Sequence, residues 1–301
     1  MERIAQASLL TRTADEGVWV HRWTAEVLRS RLAPYRQCCR RGEYLTSGKR
    51  SVSQGLEAAR LFLAAQEFDR ASEEGENVAG FLMRYGQVAD LAAVTRELAE
   101  SLPADHPRHY AFVMTEADTL RQRGLSNEAL TKYQLGMQSL EDRVRALTER
   151  ADCLRDLGVS YGRMGDLLRD LGRGEAARAY YQNLLDIVER LVRQEPERAD
   201  YLRELSVAYN RMGQVLLDLG QGGVARAYHE KRLGIVERLA RQEPERVDFQ
   251  WDLVASLWRM GDRNSQERAL GILERLDGEN KLTPEQRGAI PALEAALRAS
   301  G

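Results

Sequence analysis

Gly42, Gly48, Lys49 and Ser51 lie in one short run, Gly42-Glu43-Tyr44-Leu45-Thr46-Ser47-Gly48-Lys49-Arg50-Ser51, whose residue types suit a phosphate cradle. A phosphate-binding loop places four residues between its glycines and puts Ser or Thr directly after the lysine, where the hydroxyl holds magnesium. Here five residues separate Gly42 from Gly48, Arg50 follows Lys49, and no apolar strand leads in, so the run reads as a turn. His106 and His109 flank Pro107 and Arg108; the proline prevents helical presentation of the two imidazoles, and no cysteine or carboxylate cluster supplies a third ligand. His21 and His229 are isolated, which leaves the ligand set of a zinc site unassembled. No nucleophile sits in a strand-turn-helix context of the G-x-S-x-G kind. These observations point away from a metal, a cofactor and catalysis; an enzyme on a helical scaffold is the alternative of another class.

The remaining chemistry is carried by a repeat. Arg193-Gln194-Glu195-Pro196-Glu197-Arg198 returns 48 residues later as Arg241-Gln242-Glu243-Pro244-Glu245-Arg246, and Arg-Met-Gly occurs at 163–165, 211–213 and 259–261. A fixed period in this range marks stacked units, none of which can bury its apolar face alone. The repeat therefore sets Arg163, Arg211 and Arg259 in a row. The row is either a ladder of donors for carboxylates or phosphates or a set of surface ion pairs copied with the unit, with Asp166 and Asp262 three residues beyond the first and third arginines. The ion-pair alternative is favoured.

The elements that must position these residues are helices. Tyr201, Leu202, Leu205, Ala208, Tyr209, Met212, Leu216 and Leu219 recur at steps of three and four, and Gly220 with Gly222-Gly223 ends the series. A second series through Ala225, Tyr228, Leu233, Val236 and Leu239 stops at Pro244 after a basic end at Arg241. Each unit is thus a helical hairpin. At 100° per residue Tyr209, Met212, Gly213 and Leu216 share the packing side, and Val207, Asn210, Gln214 and Asp218 the other. Gly165 and Gly213 recur at one phase inside a helix, where glycine costs about 1 kcal/mol relative to alanine, which calls for close approach of a neighbouring helix.

The pattern resembles the tetratricopeptide repeat. Tyr161, Met164-Gly165, Gly172, Ala177 and Tyr181 match its aromatic, its large apolar residue before Gly, its turn Gly, and its Ala with an aromatic four residues on. Tyr209, Met212-Gly213, Gly220 and Ala225 match again, with His229 in place of the last aromatic. An earlier copy has Ala117 for the helix glycine, then Leu120, Gly124, Ala129 and Tyr133, and a later one keeps Met260-Gly261 before shortening as a terminal cap would. The usual unit is about 34 residues, so the 48 here leaves room for about two further turns on each helix. The resemblance implies an all-α, right-handed superhelical solenoid of antiparallel hairpins that binds a protein or peptide on its concave face, as a sensor or adaptor without enzymatic activity.

On that face the units would present Asp118, Arg121, Asp166, Arg169, Asp170, Asn210, Gln214, Asp218, Trp258 and Asp262, with Arg163, Arg211 and Arg259 along its edge. The row is mixed and mildly acidic, and Asn210 lacks a lysine beside it, so a partner carrying Arg or Lys with an apolar anchor near Trp258 is the expected complement.

Val18-Trp19-Val20 passing into 21–28 resembles the end of the winged-helix segment that precedes helical repeats in STAND-type signalling NTPases, which implies the sensor half of a system controlling a partner ATPase or effector; a capping helix carrying Trp19 and Trp23 is the other reading. The chain thus divides into an N-terminal segment 1–50, divergent hairpins over 51–149, repeats over 150–262 and capping helices over 263–301. Lys+Arg of 44 against Asp+Glu of 46 in 301 residues gives a net charge of −2, which counts against a nucleic-acid partner. With 43% hydrophobic and 30% charged residues and no 18-residue apolar stretch, no membrane span is expected. Three cysteines, two of them the adjacent Cys38-Cys39, form neither a disulfide framework nor a C-x-x-C pair, and a reducing cytoplasm fits.

Overall fold

A computed structural model describes residues 10–12, 18–20, 51–146 and 150–299. They fall into two compact units, residues 1–132 and 133–301. In the first unit, β1 (Leu10–Arg12) pairs antiparallel with β2 (Val18–Val20), Thr11 opposite Trp19. The expected helix over 21–28 and most of the Gly42–Ser51 run lie outside the described residues. Ser51 is described: its Oγ accepts from the Gln54 amide while the Gln54 side chain accepts from the Ser51 amide, a capping box that starts α1 (Val52–Ala64).

Helices α2 (Phe68–Arg84), α3 (Val88–Ser101) and α4 (His109–Gln122) follow. They enclose a core that includes Val78, Leu82, Leu98, Phe112 and Val113. His106 sits in the connection into α4 and His109 is the first residue of that helix; His106 pairs with Asp69 at 3.2 Å and the His109 ring bonds the Ala99 carbonyl at 3.0 Å. Helix α5 (Ser126–Ala146) contains the division between the units.

The second unit continues with α6 (Ala151–Asp170), α7 (Gly174–Gln194), α8 (Ala199–Asp218), α9 (Gly222–Gln242), α10 (Val247–Met260), α11 (Arg263–Gly278), a short α12 (Pro284–Arg287) and α13 (Ala289–Ala299). Helices of 20 and 21 residues alternate through α6 to α9, which accounts for the 48-residue spacing. Each helix from α6 to α11 packs on the next. From Val52 onward, every described element is a helix, as the all-α expectation requires.

Local chemistry explains where each hairpin turns. Gly172 and Gly220 adopt φ of 70° and 74°, the left-handed region that glycine enters without steric cost. Their amides and those of Arg173 and Gln221 then satisfy carbonyls of the last helical turn, closing a Schellman-type end. Between hairpins the link is Glu-Pro-Glu-Arg, and the next helix pair clips it. Arg238 donates to the Pro196 carbonyl at 3.0 Å and pairs with Glu197, Gln242 donates to Glu197 at 2.8 Å, and Lys281 pairs with the equivalent Glu245 at 2.8 Å.

The expected close approach at the helix glycines is direct. A Cβ on Gly165 would lie 2.4 Å from the Tyr181 ring, and one on Gly213 would lie 2.5 Å from the His229 ring. Tyr181 is fully buried, and Met164 and Met212 are buried beside it and its counterpart. Met260, in the shortened last copy, is only half-buried, since α10 stops there and Gly261 turns the chain with φ of 76°.

Gly165→Ala is expected to lower the unfolding free energy by about 1–3 kcal/mol in urea denaturation, the cost of overpacking a closed site. Gly234→Ala, on the open side of α9 with no atom within 4 Å, serves as the contrast and is expected to gain up to about 1 kcal/mol from helix propensity.

Candidate functional site

The first helices of the hairpins, α6, α8 and α10, carry most of the candidate residues. Asp166, Arg169, Asp170 and Arg163 lie on α6, Asn210, Gln214, Asp218 and Arg211 on α8, and Trp258 and Arg259 on α10. Asp118 and Arg121 lie on α4, in the first unit. Asp262 leaves the helical row: it is the N-cap of α11, accepting from the Ser265 amide at 2.9 Å and its hydroxyl at 2.7 Å. That capping role holds its carboxyl below the usual range.

Two of the three arginines in the row pair across hairpins rather than along their own helix. Arg211 reaches back from α8 to Asp166 on α6 with two bonds, at 3.1 and 2.8 Å, and a Cβ on Gly162 would touch its guanidinium at 2.9 Å. One period on, Arg259 on α10 donates to Asn210, the residue that replaces Gly162. Arg211 and Arg259 thus staple neighbouring hairpins, and Arg259 ends on Asn210 rather than on Asp262, because the 48-residue period brings each of the two over the first helix of the preceding hairpin.

Other ties obey the same period. Arg155 pairs with Glu204, and Arg203 approaches Asp252 at 3.7 Å, one unit later on both sides. Burial pushes the Glu204 and Asp252 carboxyls up, opposed by those arginines. Arg169 lies 3.8 Å from Asp218, which also accepts from Gln214 at 3.3 Å. Tyr161 donates to Glu141 at 3.0 Å and Tyr209 to Glu189 at 3.0 Å; burial first, then the carboxylate, pushes both phenols up to about 12. Tyr181 donates to Asp166 at 2.7 Å and is likewise pushed up, by burial and then by the Asp166 charge.

Where α6, α7 and α8 meet, these ties border a cleft of about 400 Å³ lined by Arg155, Val159, Arg163, Val207, Asp200 and Glu204 among others. Its mouth carries Val159 and Val207, exposed by 42% and 43%, each one helical turn before the equivalent positions Gly162 and Asn210. The sequence pattern pointed to Arg163, Arg211 and, on the outward side of its helix, Val207, but not to Arg155, Val159, Arg203 or Glu204. The signal was present, since Arg155 and Arg203, and Val159 and Val207, are themselves 48 residues apart. Trp258, the expected apolar anchor, is 36% exposed on α10.

The sequence matches no family model, and no curated protein matches it. Among solved structures it is similar to BtubC (BKLC) from P. vanneervenii, with a TM-score of 0.54 and 17% identity over 82% of this chain and 89% of that one. The fold is tetratricopeptide-like. MamA is similar at a TM-score of 0.45 and 16% identity, over 70% of this chain and 96% of that chain. A Podosopora anserina kinesin light chain with nearly identical TPR-like repeats follows at 0.44 and 16%, over 77% and 97%. Among the described residues, no helix is long and apolar enough to cross a membrane.

Asp166→Ala removes the acceptor of both Tyr181 and Arg211 and is expected to cost about 1–3 kcal/mol, measured by chemical denaturation, as buried donors are left unsatisfied. Burial also holds His109 and His229 below the ordinary histidine value, and Arg259 and Arg232 add to the effect on His229. The unfolded chain then takes up protons first, so stability is full above about pH 6.5 and falls as the pH drops below it. Denaturation midpoints measured from pH 7.5 to 5.5 are expected to show that fall, reduced in His229→Tyr.

Proposed function

We propose that this protein is a non-enzymatic scaffold that binds a protein or peptide segment along the inner helices α6, α8 and α10. The observation that carries the reading is the cleft where α6, α7 and α8 meet: an exposed Val159–Val207 pair at its mouth, beside arginines and carboxylates. Scaffolds of stacked hairpins bind through such surfaces, since the stack holds residues from successive units in fixed register. An apolar side chain of the segment seats on the two valines, and its charge answers the rim.

The rim is mixed, and its arginines are engaged by the chain itself: Arg155 by Glu204, Arg211 by Asp166, and Arg203 beside Asp252. Four arginines, Arg155, Arg163, Arg203 and Arg211, line the cleft against two carboxylates, Asp200 and Glu204. The acids of the neighbouring row are engaged by the chain itself: Asp166 by Tyr181 and Arg211, Asp218 by Gln214 and Arg169, and Asp262 by Ser265. Asn210 and Trp258 extend the candidate surface toward α10, where the apolar anchor of a longer segment would rest. A sensor or adaptor role is the biological form of this reading, in a cytoplasmic setting.

Affinity capture with the wild-type chain, quantified by mass spectrometry, tests it. Val159→Asp and Val207→Asp are expected to weaken the captured partner at least tenfold, about 1.4 kcal/mol, with unchanged helicity, and Asn210→Ala with Trp258→Ala to weaken it less. Equal capture by the valine variants, or equal loss in Arg226→Ala on the exposed side of α9, would sink the reading.

A further inference from the structure

Among the positions at which the second hairpin departs from the first, four change the electrostatics of one junction. Gly162, Asp166, Tyr181 and Leu184 of α6 and α7 become Asn210, Gln214, His229 and Arg232 of α8 and α9. In the first hairpin the polar groups close on a carboxylate, since Asp166 receives Tyr181 and Arg211. In the second the carboxylate is gone, replaced by the neutral amide of Gln214, and a guanidinium has been placed where a leucine was.

Arg232 is 8% exposed and His229 is 7% exposed. Arg232 donates through Nη1 to the Asn210 side-chain oxygen at 3.3 Å, and Arg259 donates to that same oxygen. Two cations thus share one uncharged acceptor. Among the described residues, the Nε of Arg232 and both ring nitrogens of His229 are buried without a hydrogen-bond partner. Asp252 is the carboxylate whose field reaches Arg232, but no ion pair or hydrogen bond joins them, and Asp252 faces Arg203 at 3.7 Å. A buried guanidinium with an unmatched donor is costly, and charge-assisted bonds to an oxyanion are the strongest compensation open to it.

We propose that the junction of α8, α9 and α10 is an oxyanion site, in which Arg232, Arg259 and an N–H of His229 donate to a carboxylate or phosphate group. Access is from the inner side, where Arg259 and Trp258 are exposed and Asn210 is half-buried. The site is separate from the α6–α8 cleft and does not require a partner in that cleft.

The test uses the full chain with sodium phosphate and sodium acetate as probes, titrated at constant ionic strength against chloride. Phosphate is expected to shift the Arg232 Nε–H and His229 ring resonances and to bind at least tenfold more weakly to Arg232→Leu, which restores the residue of the preceding hairpin. Asp252→Asn removes the one negative charge nearby and is expected to tighten binding; it keeps the test decisive should Arg232→Leu fail to fold. Val159→Asp, which strikes the peptide cleft, is expected to leave anion binding unchanged, so that failure of one reading is distinguishable from failure of the other. Binding of both anions assigns the site to carboxylates as well as phosphate, and binding of phosphate alone assigns it to phosphoryl groups. Absence of any shift at Arg232 and His229 with either anion, or equal affinity in Arg232→Leu, overturns the proposal.

Discussion

The second unit depends on how closely two helices can approach within a hairpin. Tyr181 lies flat against the bare Cα of Gly165, and His229 lies against Gly213 in the same way, at distances that leave no room for a methyl group. This contact sets the separation of the paired helices without an intervening side chain, and dense packing leaves it little freedom to vary. Because both hairpins use the same contact at the same phase, their first helices come into a common register. The ties between units follow from that register: Tyr161 to Glu141 and Tyr209 to Glu189, Arg155 to Glu204 and Arg203 toward Asp252, each displaced by one period.

Individually these polar ties are modest, since exposed pairs contribute about 0–1 kcal/mol. Their importance is geometric. Arg211 lies over Gly162 because that position has no side chain, and it ends on Asp166, which Tyr181 also uses. The contact that spaces the hairpin and the contact that joins it to the next hairpin therefore meet at one carboxylate. Val159 and Val207 are left exposed among these ties, at the mouth of the cleft.

Much of this was legible from the sequence because the periodicity of burial and the period of the repeat are both local in the chain. Gly165, Gly172 and Tyr181 in one copy, and Gly213, Gly220 and His229 in the next, mark the helix contact, the turn and the packed ring without reference to any other residue. The candidate surface was less legible. Arg163, Arg211 and Arg259 were visible as a row, but the acceptors of Arg211 and Arg259 lie on the preceding hairpin, and the contact of Arg211 with Asp166 spans 45 residues. A wheel drawn on one helix identifies its outward residues, Val207 among them, but not how the next helix is offset, and that offset brings Arg155, Val159 and Glu204 to the same cleft. Arg232 was hidden for a different reason: an arginine among apolar positions reads as solvated unless the position is matched with Leu184 one unit earlier.

The clips on the Glu-Pro-Glu-Arg links have an evolutionary consequence. Arg238 and Gln242 hold the link at Glu197 from the following hairpin, and Lys281 holds the next link at Glu245 in the same manner. A recombination event that opens the chain at one such seam and rejoins it at the other exchanges one whole module for another and regenerates an equivalent clip. The gene can thus lengthen or shorten its array in complete modules, with no new interface to be invented at the joint, and each added module brings its own valine, arginine and ring.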